Sequence, residues 1–296
     1  EQGNQFTVNI TKVFEKGELN LYTRQTDDRG TWYLPTPLNV EGIDANYTQI
    51  GPLNRQGTIT YGPNDTTESF DFGEGRGWDG HVSGGSIKLD LGNDWQLVDR
   101  FNLTKGEANT FGLVPNGSAT TVANVADNGE SATGAVTGTV YDGDTPIQQI
   151  GRWVVLKDIE AFTNDLAVSK SWEDFDTSFG IYSASTKAND WWSIGNTAYH
   201  VLQPGGELLD GIECNTDAQG CDWNYDISSV GDASTFAVYA TGTWYATTDL
   251  SIDLGLRREN HEVSYSVDEG LDGEITKALE YDETKTSWTV GANYAL

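Results

Sequence analysis

Three histidines, His81, His200 and His261, are the only imidazoles available for acid–base or metal chemistry in this sequence. None of them stands in a recognisable nucleophile, metal or phosphate motif, and no Gly-x-Ser-x-Gly segment is present. His81 follows Trp78-Asp79-Gly80, where it can contact a ligand or a metal, or can be an ordinary solvated loop histidine. The sequence therefore predicts no catalytic residues and no enzyme.

Aromatic side chains are better candidates for chemistry, because they can act as binding groups. We predict six ligand-binding residues in loops or at strand ends: Trp32, Tyr33, Trp78, His81, Trp191 and Trp192. Flat rings at such positions stack on sugars or on an aromatic siderophore. Long loops also pack on themselves, so ordinary packing remains the alternative for each ring.

Cys214 and Cys221 are the only two cysteines, and they lie in a polar, glycine-containing segment typical of a loop. We predict that they form a small disulfide, which fits an oxidising compartment such as the periplasm or the cell surface. A zinc site is the alternative, but two thiolates without a nearby histidine or further cysteine make a poor one. Asp142 and Asp144, in Tyr141-Asp142-Gly143-Asp144, can ligate calcium, but the twelve-residue EF-hand pattern is absent. We expect no cofactor and no metal site, with calcium in the acidic loops as the alternative.

The charge of the chain restricts its partners. Lys and Arg number 17 against 45 Asp and Glu, a formal net charge of −28. Such a charge argues against a nucleic-acid partner. Acidic loops keep a secreted protein soluble. They can also meet a cationic ligand, or the divalent cations that bridge lipopolysaccharide, and both alternatives stay open.

The composition indicates a sheet with one apolar face and one wet face. Hydrophobic residues make up 37% of the chain, yet aromatic residues reach 11%. No run of eighteen apolar residues occurs, so no membrane helix is predicted, although barrel strands remain compatible with this hydropathy. The chain begins at Glu1 and contains no Met. We therefore expect it to be processed or excised from a longer product.

Apolar residues alternate with a period of two in many segments, which predicts β-strands. The clearest alternating set, Phe236, Val238, Ala240 and Trp244, is followed by Leu250, Ile252, Leu254 and Leu256. Four connections carry the Gly, Asn or Asp residues of tight hairpins: Glu15-Lys16-Gly17, Gly92-Asn93-Asp94, Trp172-Glu173-Asp174 and Thr247-Thr248-Asp249. Long polar stretches separate the hairpins, at about 27–83, 105–148, 203–233 and 267–282.

Short turns that alternate with long loops are typical of a transmembrane barrel. We predict an all-β, antiparallel up-and-down transmembrane β-barrel or barrel segment of ten or eleven strands, with residues 1–296 as a single barrel region. Aromatic residues near strand ends then form interfacial girdles: Tyr22, Trp95, Trp153, Trp172, Tyr199, Trp244 and Trp288. The alternative is the hydrophobic core of a soluble β-protein.

Three stretches resemble the barrel of TonB-dependent receptors. Residues 17–37 contain Asp28-Arg29 and Tyr33-Leu34-Pro35-Thr36-Pro37, and residues 94–102 contain Asp94-Trp95-Gln96-Leu97 and Asp99-Arg100-Phe101-Asn102. The third stretch, residues 250–259, ends in Gly255-Leu256-Arg257-Arg258-Glu259. No TonB box or plug is recognisable, and the C-terminus lacks the aromatic residue of a last barrel strand, so the chain resembles a middle portion of such a barrel.

The resemblance implies a transport protein of the bacterial outer membrane. Such a receptor binds a scarce nutrient (a siderophore, an oligosaccharide or a vitamin), contacts lipid and lipopolysaccharide, and reaches TonB through a plug that this chain does not contain. A passive porin-like barrel is one alternative. A secreted or surface β-rich adhesin or structural protein is the other.

Overall fold

The computed structural model describes residues 2–38, 40–41, 43, 47–126, 129–210, 212 and 224–295. Fourteen strands lie within them: β1 (Gln2–Phe14), β2 (Gly17–Gly30), β3 (Gln56–Tyr61), β4 (Thr66–Asp71), β5 (Arg76–Gly92), β6 (Trp95–Thr121), β7 (Ser131–Gly134), β8 (Val140–Asp142), β9 (Pro146–Ser171), β10 (Phe175–Val201), β11 (Leu209–Asp210), β12 (Asn224–Tyr245), β13 (Leu250–Glu269) and β14 (Lys277–Tyr294). Two 3₁₀ turns, Phe72–Glu74 and Val122–Asn124, complete the elements. Among the described residues, no helix is long and apolar enough to cross a membrane.

Nine strands form one antiparallel sheet in the order β1-β2-β5-β6-β9-β10-β12-β13-β14. The prediction of an all-β, antiparallel up-and-down sheet is confirmed. The count of ten or eleven strands is wrong for this sheet, because the remaining strands belong to the connections. β3 pairs with β4, and β11, β7 and β8 form a small three-stranded sheet. Within the described residues β1 pairs only with β2 and β14 only with β13, so the sheet has two open edges.

Short and long connections lie at opposite ends of the sheet. At the turn end, two residues, Asn93 and Asp94, join β5 to β6, and both have positive φ, as a type I′ hairpin turn requires. At the loop end, residues 31–75, 122–145, 202–223 and 270–276 connect the strands. The asymmetry predicted from the sequence is therefore present.

The predicted loops at 27–83, 105–148, 203–233 and 267–282 are too long. β6 continues to Thr121 and pairs with β9 over most of the stretch from 105 onwards, and β5 already begins at Arg76. β6 and β10 each have 27 residues, whereas a membrane strand needs about 9–11. Beyond the membrane both faces of a strand are hydrated or covered by loops. The alternation of apolar and polar residues then disappears, although the pairing continues.

The strand register places the predicted apolar residues on one face, which we call the band face. One row across seven strands consists of Leu89, Leu97, Val168, Phe179, Ala240, Leu256 and Trp288. Phe179 is 54% exposed and Trp288 is 75% exposed. Large apolar side chains of a soluble core would be buried, so this exposed band fits contact with lipid.

The opposite face, which we call the polar face, carries hydrogen-bonded side chains at the height of the band. The Tyr239 hydroxyl donates to Asp165 at 2.7 Å, and the Arg257 guanidinium donates to Glu259 at 2.8 Å. The predicted girdle is wrong for Tyr22 and Trp153, which point to the polar face, and for Tyr199, which is buried. An aromatic residue near a strand end does not reveal its face until the register is known.

Two apolar cores lie at the loop end. The β3–β4 hairpin contributes Ile59 and Phe70 to the first, where they pack against Phe111 and Val154. The second core joins the β6–β9 connection to the end of β10, with Val122, Ala132, Ile147, Val201 and Leu209 buried together. The long connections are therefore folded units fixed to the sheet.

Candidate functional site

The loop end of the polar face brings aromatic and cationic residues from several strands together. Register places Trp78, Ala108, Lys157 and Asp190 in one row across β5, β6, β9 and β10. The next row towards the loops contains Arg76 and Trp192. We call Arg76, Trp78, Trp153, Lys157 and Trp192 the aromatic–cation patch. Strands lie about 4.8 Å apart, so Trp78 and Lys157, which are two strands apart, are about 10 Å from each other along the row.

Trp78 lies flat on the wall because two glycines make room for its ring. A Cβ atom on Gly80 would come within 2.5 Å of the Trp78 ring, and one on Gly106 within 2.8 Å. Gly80 and Gly106 are themselves paired across β5 and β6. With one side of the indole against this backbone, its other side is the surface on which a flat ligand can stack.

Within the patch, Lys157 lies between Asp190 and Trp192. Its ammonium group donates to Asp190 at 2.8 Å and lies 5.2 Å from the centre of the Trp192 ring. Trp192 also meets Tyr225 edge to face, with ring centres 6.4 Å apart. Lys157 is half-buried between a carboxylate and an indole, and its ion pair with Asp190 compensates its charge, so its remaining N–H groups can donate to an oxygen atom of a ligand.

Trp32 approaches the same patch from the connection that follows β2. The Arg76 guanidinium lies 4.4 Å from the centre of its ring, and Trp153 meets it edge to face at 5.7 Å. Gly112 permits this approach, since a Cβ there would come within 2.8 Å of the ring. Trp32 is therefore largely engaged in packing, whereas the neighbouring Tyr33 is 87% exposed.

The other predicted binding residues point elsewhere. Trp191 lies on the band face, where it stacks on Phe70 at 5.9 Å and meets Tyr61 edge to face at 5.3 Å. Ordinary packing therefore describes Trp191. His81 shares the band face, directly opposite Gln25 and Lys105. A cavity of about 470 Å³ lies beside Trp191, and most of its lining belongs to the band face, including Asp79, Glu107, Phe111 and Leu156.

Several residues that shape the loop end were not predicted. Arg152 donates to Asp226 at 3.2 Å and to Ser193 at 3.0 Å, which joins β9, β10 and β12. Glu207 is fully buried and accepts hydrogen bonds from the turn between β7 and β8. These residues are charged and isolated in the sequence, so only the pairing of the strands and loops could reveal their roles.

The predicted disulfide cannot be located, since Cys214 and Cys221 lie outside the described residues. Among the residues that are described, no three His, Cys, Asp or Glu side chains are arranged to hold a metal ion. Asp142, one of the two calcium candidates, accepts a hydrogen bond from the Thr145 hydroxyl at 3.1 Å. Calcium in the acidic loops stays a prediction.

Comparison with known proteins bears on the fold and the family. Residues 9–296 match the family model described as "TonB dependent receptor-like, beta-barrel". The crystal structure of the ferric yersiniabactin uptake receptor FyuA from Yersinia pestis matches with a TM-score of 0.57 and 13% identity, over 99% of this chain and 35% of that one. The siderophore receptor PiuA from Acinetobacter baumannii matches with a TM-score of 0.53 and 14% identity, over 99% and 40%.

This chain thus spans less than half the length of the two solved receptors. A search of curated protein sequences finds no match. At such low identity, the structural likeness concerns the fold alone. This chain therefore aligns with a part of each of those receptors.

Proposed function

Because the chain belongs to the TonB-dependent receptor β-barrel family and lies in the outer membrane of a Gram-negative bacterium, we propose that it forms part of the wall of a receptor that takes up a scarce nutrient. The band face contacts outer-membrane lipid in this proposal, and the rows beyond it lie at the level of the lipopolysaccharide head groups. The polar face lines the interior, where a plug contributed by another part of the receptor contacts TonB. The family match supports this arrangement.

The observation that carries the proposal is the aromatic–cation patch at the loop end of the polar face. A planar ring of the ligand stacks on Trp78, and an oxygen atom of the ligand accepts a hydrogen bond from Lys157 beside Trp192. A ferric siderophore with aromatic, oxygen-rich chelating groups combines both features. Of the two solved receptors with a similar fold, one is a siderophore receptor and the other is a ferric yersiniabactin uptake receptor, which adds support.

Quenching of tryptophan fluorescence in the purified protein tests this ligand class, with the ferric complex of 2,3-dihydroxybenzoate as the probe. We expect saturable quenching that weakens at least tenfold in Trp78→Ala and in Lys157→Gln. Trp288→Ala is the matched control, because Trp288 lies on the band face far from the patch. Quenching by cyanocobalamin or maltohexaose, with none by the ferric complex, would reject the siderophore in favour of a vitamin or an oligosaccharide.

Uptake of radiolabelled iron by cells tests the transport step. We expect uptake of the ferric complex to require both this protein and TonB. Uptake that persists in cells without TonB would reject energy-coupled import and would favour passive diffusion through a pore.

A further inference from the structure

A second cavity, of about 590 Å³, lies outside the aromatic–cation patch. Most of its lining comes from the connection between β2 and β3. Trp32, Tyr33, Tyr47 and Gln49 border it, together with Arg55, which directly precedes β3. The cavity therefore combines ring surfaces with a hydroxyl and an amide.

Three polar atoms of residues that border this cavity have no hydrogen-bond partner among the described residues. The Tyr47 hydroxyl and both polar atoms of the Gln49 amide are buried, and none has a hydrogen-bond partner among the described residues. Buried polar groups without partners are costly and rare in folded proteins. Both side chains border the cavity, so rotation about their side-chain torsions turns these groups towards a ligand.

The wall that carries Tyr47 and Gln49 is firmly held. Asn54 is 2% exposed, and its amide donates to the carbonyl of Gln49 and to that of Gly206, each at 2.7 Å. The Gly51 N–H donates to Asn54 Oδ1 at 2.8 Å, and the Gly205 N–H donates to the Thr48 carbonyl at 2.8 Å. In this segment both the oxygen and the nitrogen of the Asn54 side-chain amide have hydrogen-bond partners. The Tyr47 hydroxyl and the Gln49 side-chain amide have none among the described residues.

The described lining of the cavity carries no uncompensated charge. Among its described lining residues, Arg55 alone is ionised, and its Nε donates to Asp71 at 2.6 Å. Burial raises the pKa of Tyr47 to about 12, so its hydroxyl stays protonated at physiological pH. A neutral ligand suits this site better than an anion or a cation does.

We propose that this cavity binds a neutral sugar ring, with its hydroxyl groups paired to Tyr47 and Gln49 and its apolar face against Tyr33 or the edge of Trp32. A hydroxyl can both donate and accept, as the phenol and the amide can. The sugar belongs either to a free saccharide or to the core of lipopolysaccharide. The site is separate from the aromatic–cation patch and does not depend on the nature of the transported nutrient.

Calorimetric titration of the purified protein in detergent tests the proposal. The probes are methyl α-glucoside, methyl α-galactoside and N-acetylglucosamine, followed by lipopolysaccharide with a complete core and with a truncated core. Tyr47→Phe and Gln49→Leu remove the polar atoms and keep the volume. Gln96→Leu, at the turn end of β6, is the matched control.

We expect at least one sugar to bind saturably, with affinity reduced about tenfold in each cavity variant and unchanged in the control. Competition by complete-core but not by truncated-core lipopolysaccharide identifies the surface source, and no competition by either identifies a free saccharide. Absence of saturable binding by every sugar, or equal affinity in all variants, overturns the proposal.

Thermal unfolding without sugar provides an independent readout. Because the polar atoms are unpaired, Tyr47→Phe and Gln49→Leu should leave the unfolding temperature unchanged or raise it. A fall of several degrees in both variants, with no fall in the control, would show that these atoms already have partners in the free protein, which also overturns the proposal.

Discussion

The carboxylate of Glu207 accepts a hydrogen bond from the backbone N–H of Thr137 at 2.9 Å, although the two residues belong to different long connections. The Val136 N–H, the Thr137 hydroxyl and the Tyr141 hydroxyl donate to the same carboxylate. Gly134 permits the approach, since a Cβ there would come within 2.2 Å of Glu207. One buried side chain thus joins the β6–β9 connection to the segment that follows β10.

Replacement of Glu207 should release this junction. Glu207→Gln keeps the size of the side chain but removes the charge that strengthens four hydrogen bonds, and we expect a local loss of about 1–3 kcal/mol. Hydrogen exchange at Val136 and Thr137 measures the effect. Glu173→Gln in a tight turn is the control, and equal protection in both variants would contradict the role assigned to Glu207.

Acid should loosen the same junction. Burial alone would raise the pKa of Glu207, but hydrogen bonds from Thr137, Tyr141 and Val136 hold it below its usual range. A carboxylate with a depressed pKa stabilises the fold above its unfolded pKa, and this contribution is lost as the pH falls through the folded pKa. We expect exchange protection at Thr137 to fall below about pH 4.5 in the wild type and to vary much less with pH in Glu207→Gln.

His200 should add a second acid-sensitive contribution at higher pH. Burial lowers its pKa from 6.5 to about 4, so the folded protein binds fewer protons than the unfolded chain between these values. Stability should therefore decline as the pH falls from about 7 towards 4. Measurement of the unfolding temperature against pH for wild type and His200→Phe checks this, and parallel curves would refute it.

Room for Trp78 should be essential to the aromatic–cation patch. The Cβ of Gly106→Ala would lie 2.6 Å from the Asp79 carbonyl and 2.8 Å from the indole, so we expect Trp78 to leave the wall and ligand quenching to weaken at least tenfold. Gly255→Ala is a fair control, because a Cβ there meets no atom closer than 3.6 Å. If Gly106→Ala folds and its fluorescence is still fully quenched by the ligand, Trp78 does not belong to the binding site.

Removal of one partner of the buried ion pair between Arg152 and Asp226 should destabilise the protein more than replacement of both partners by apolar residues. Their side chains are 14% and 10% exposed. Loss of one partner leaves a buried charge, and we expect Arg152→Met or Asp226→Leu to cost about 3–5 kcal/mol. The double variant should be less destabilised than either single one in denaturant unfolding, and strict additivity of the two losses would argue against a direct pairing.

The sequence predicts the band face well, because alternation of apolar and polar residues survives wherever one face meets lipid. Both alternating sets named from the sequence, Phe236 to Trp244 and Leu250 to Leu256, lie on that face. The register at the loop end is harder to predict. Counting outward from the tight turn after β9 pairs Lys157 with Asp190, so this contact was accessible from the sequence. The register of β6 against β9 cannot be counted in this way, because the long connection 122–145 separates the two strands and no tight turn joins them.

The adjacent residues Trp191 and Trp192 show what parity along a strand decides and what it leaves open. Successive side chains of a strand point to opposite faces. One of the two rings therefore enters the core beneath the β3–β4 hairpin, and the other meets Lys157. Composition is the same at both positions. Parity counted from Phe179 assigns Trp191 to the band face and Trp192 to the polar face, but only the folded β3–β4 hairpin shows that Trp191 is covered.

The order of strands in the main sheet has a consequence for assembly. Each strand pairs with the previous or next long strand of the chain, so the sheet can grow by one hairpin at a time. No strand has to insert between two strands that are already paired. In every intermediate, only the two edge strands have unpaired backbone N–H and C=O groups. The tight turns close first, because their contacts cost the least chain entropy. In each hairpin the pairing of the strands can then propagate from the tight turn towards the loop end, and the long connections become ordered last.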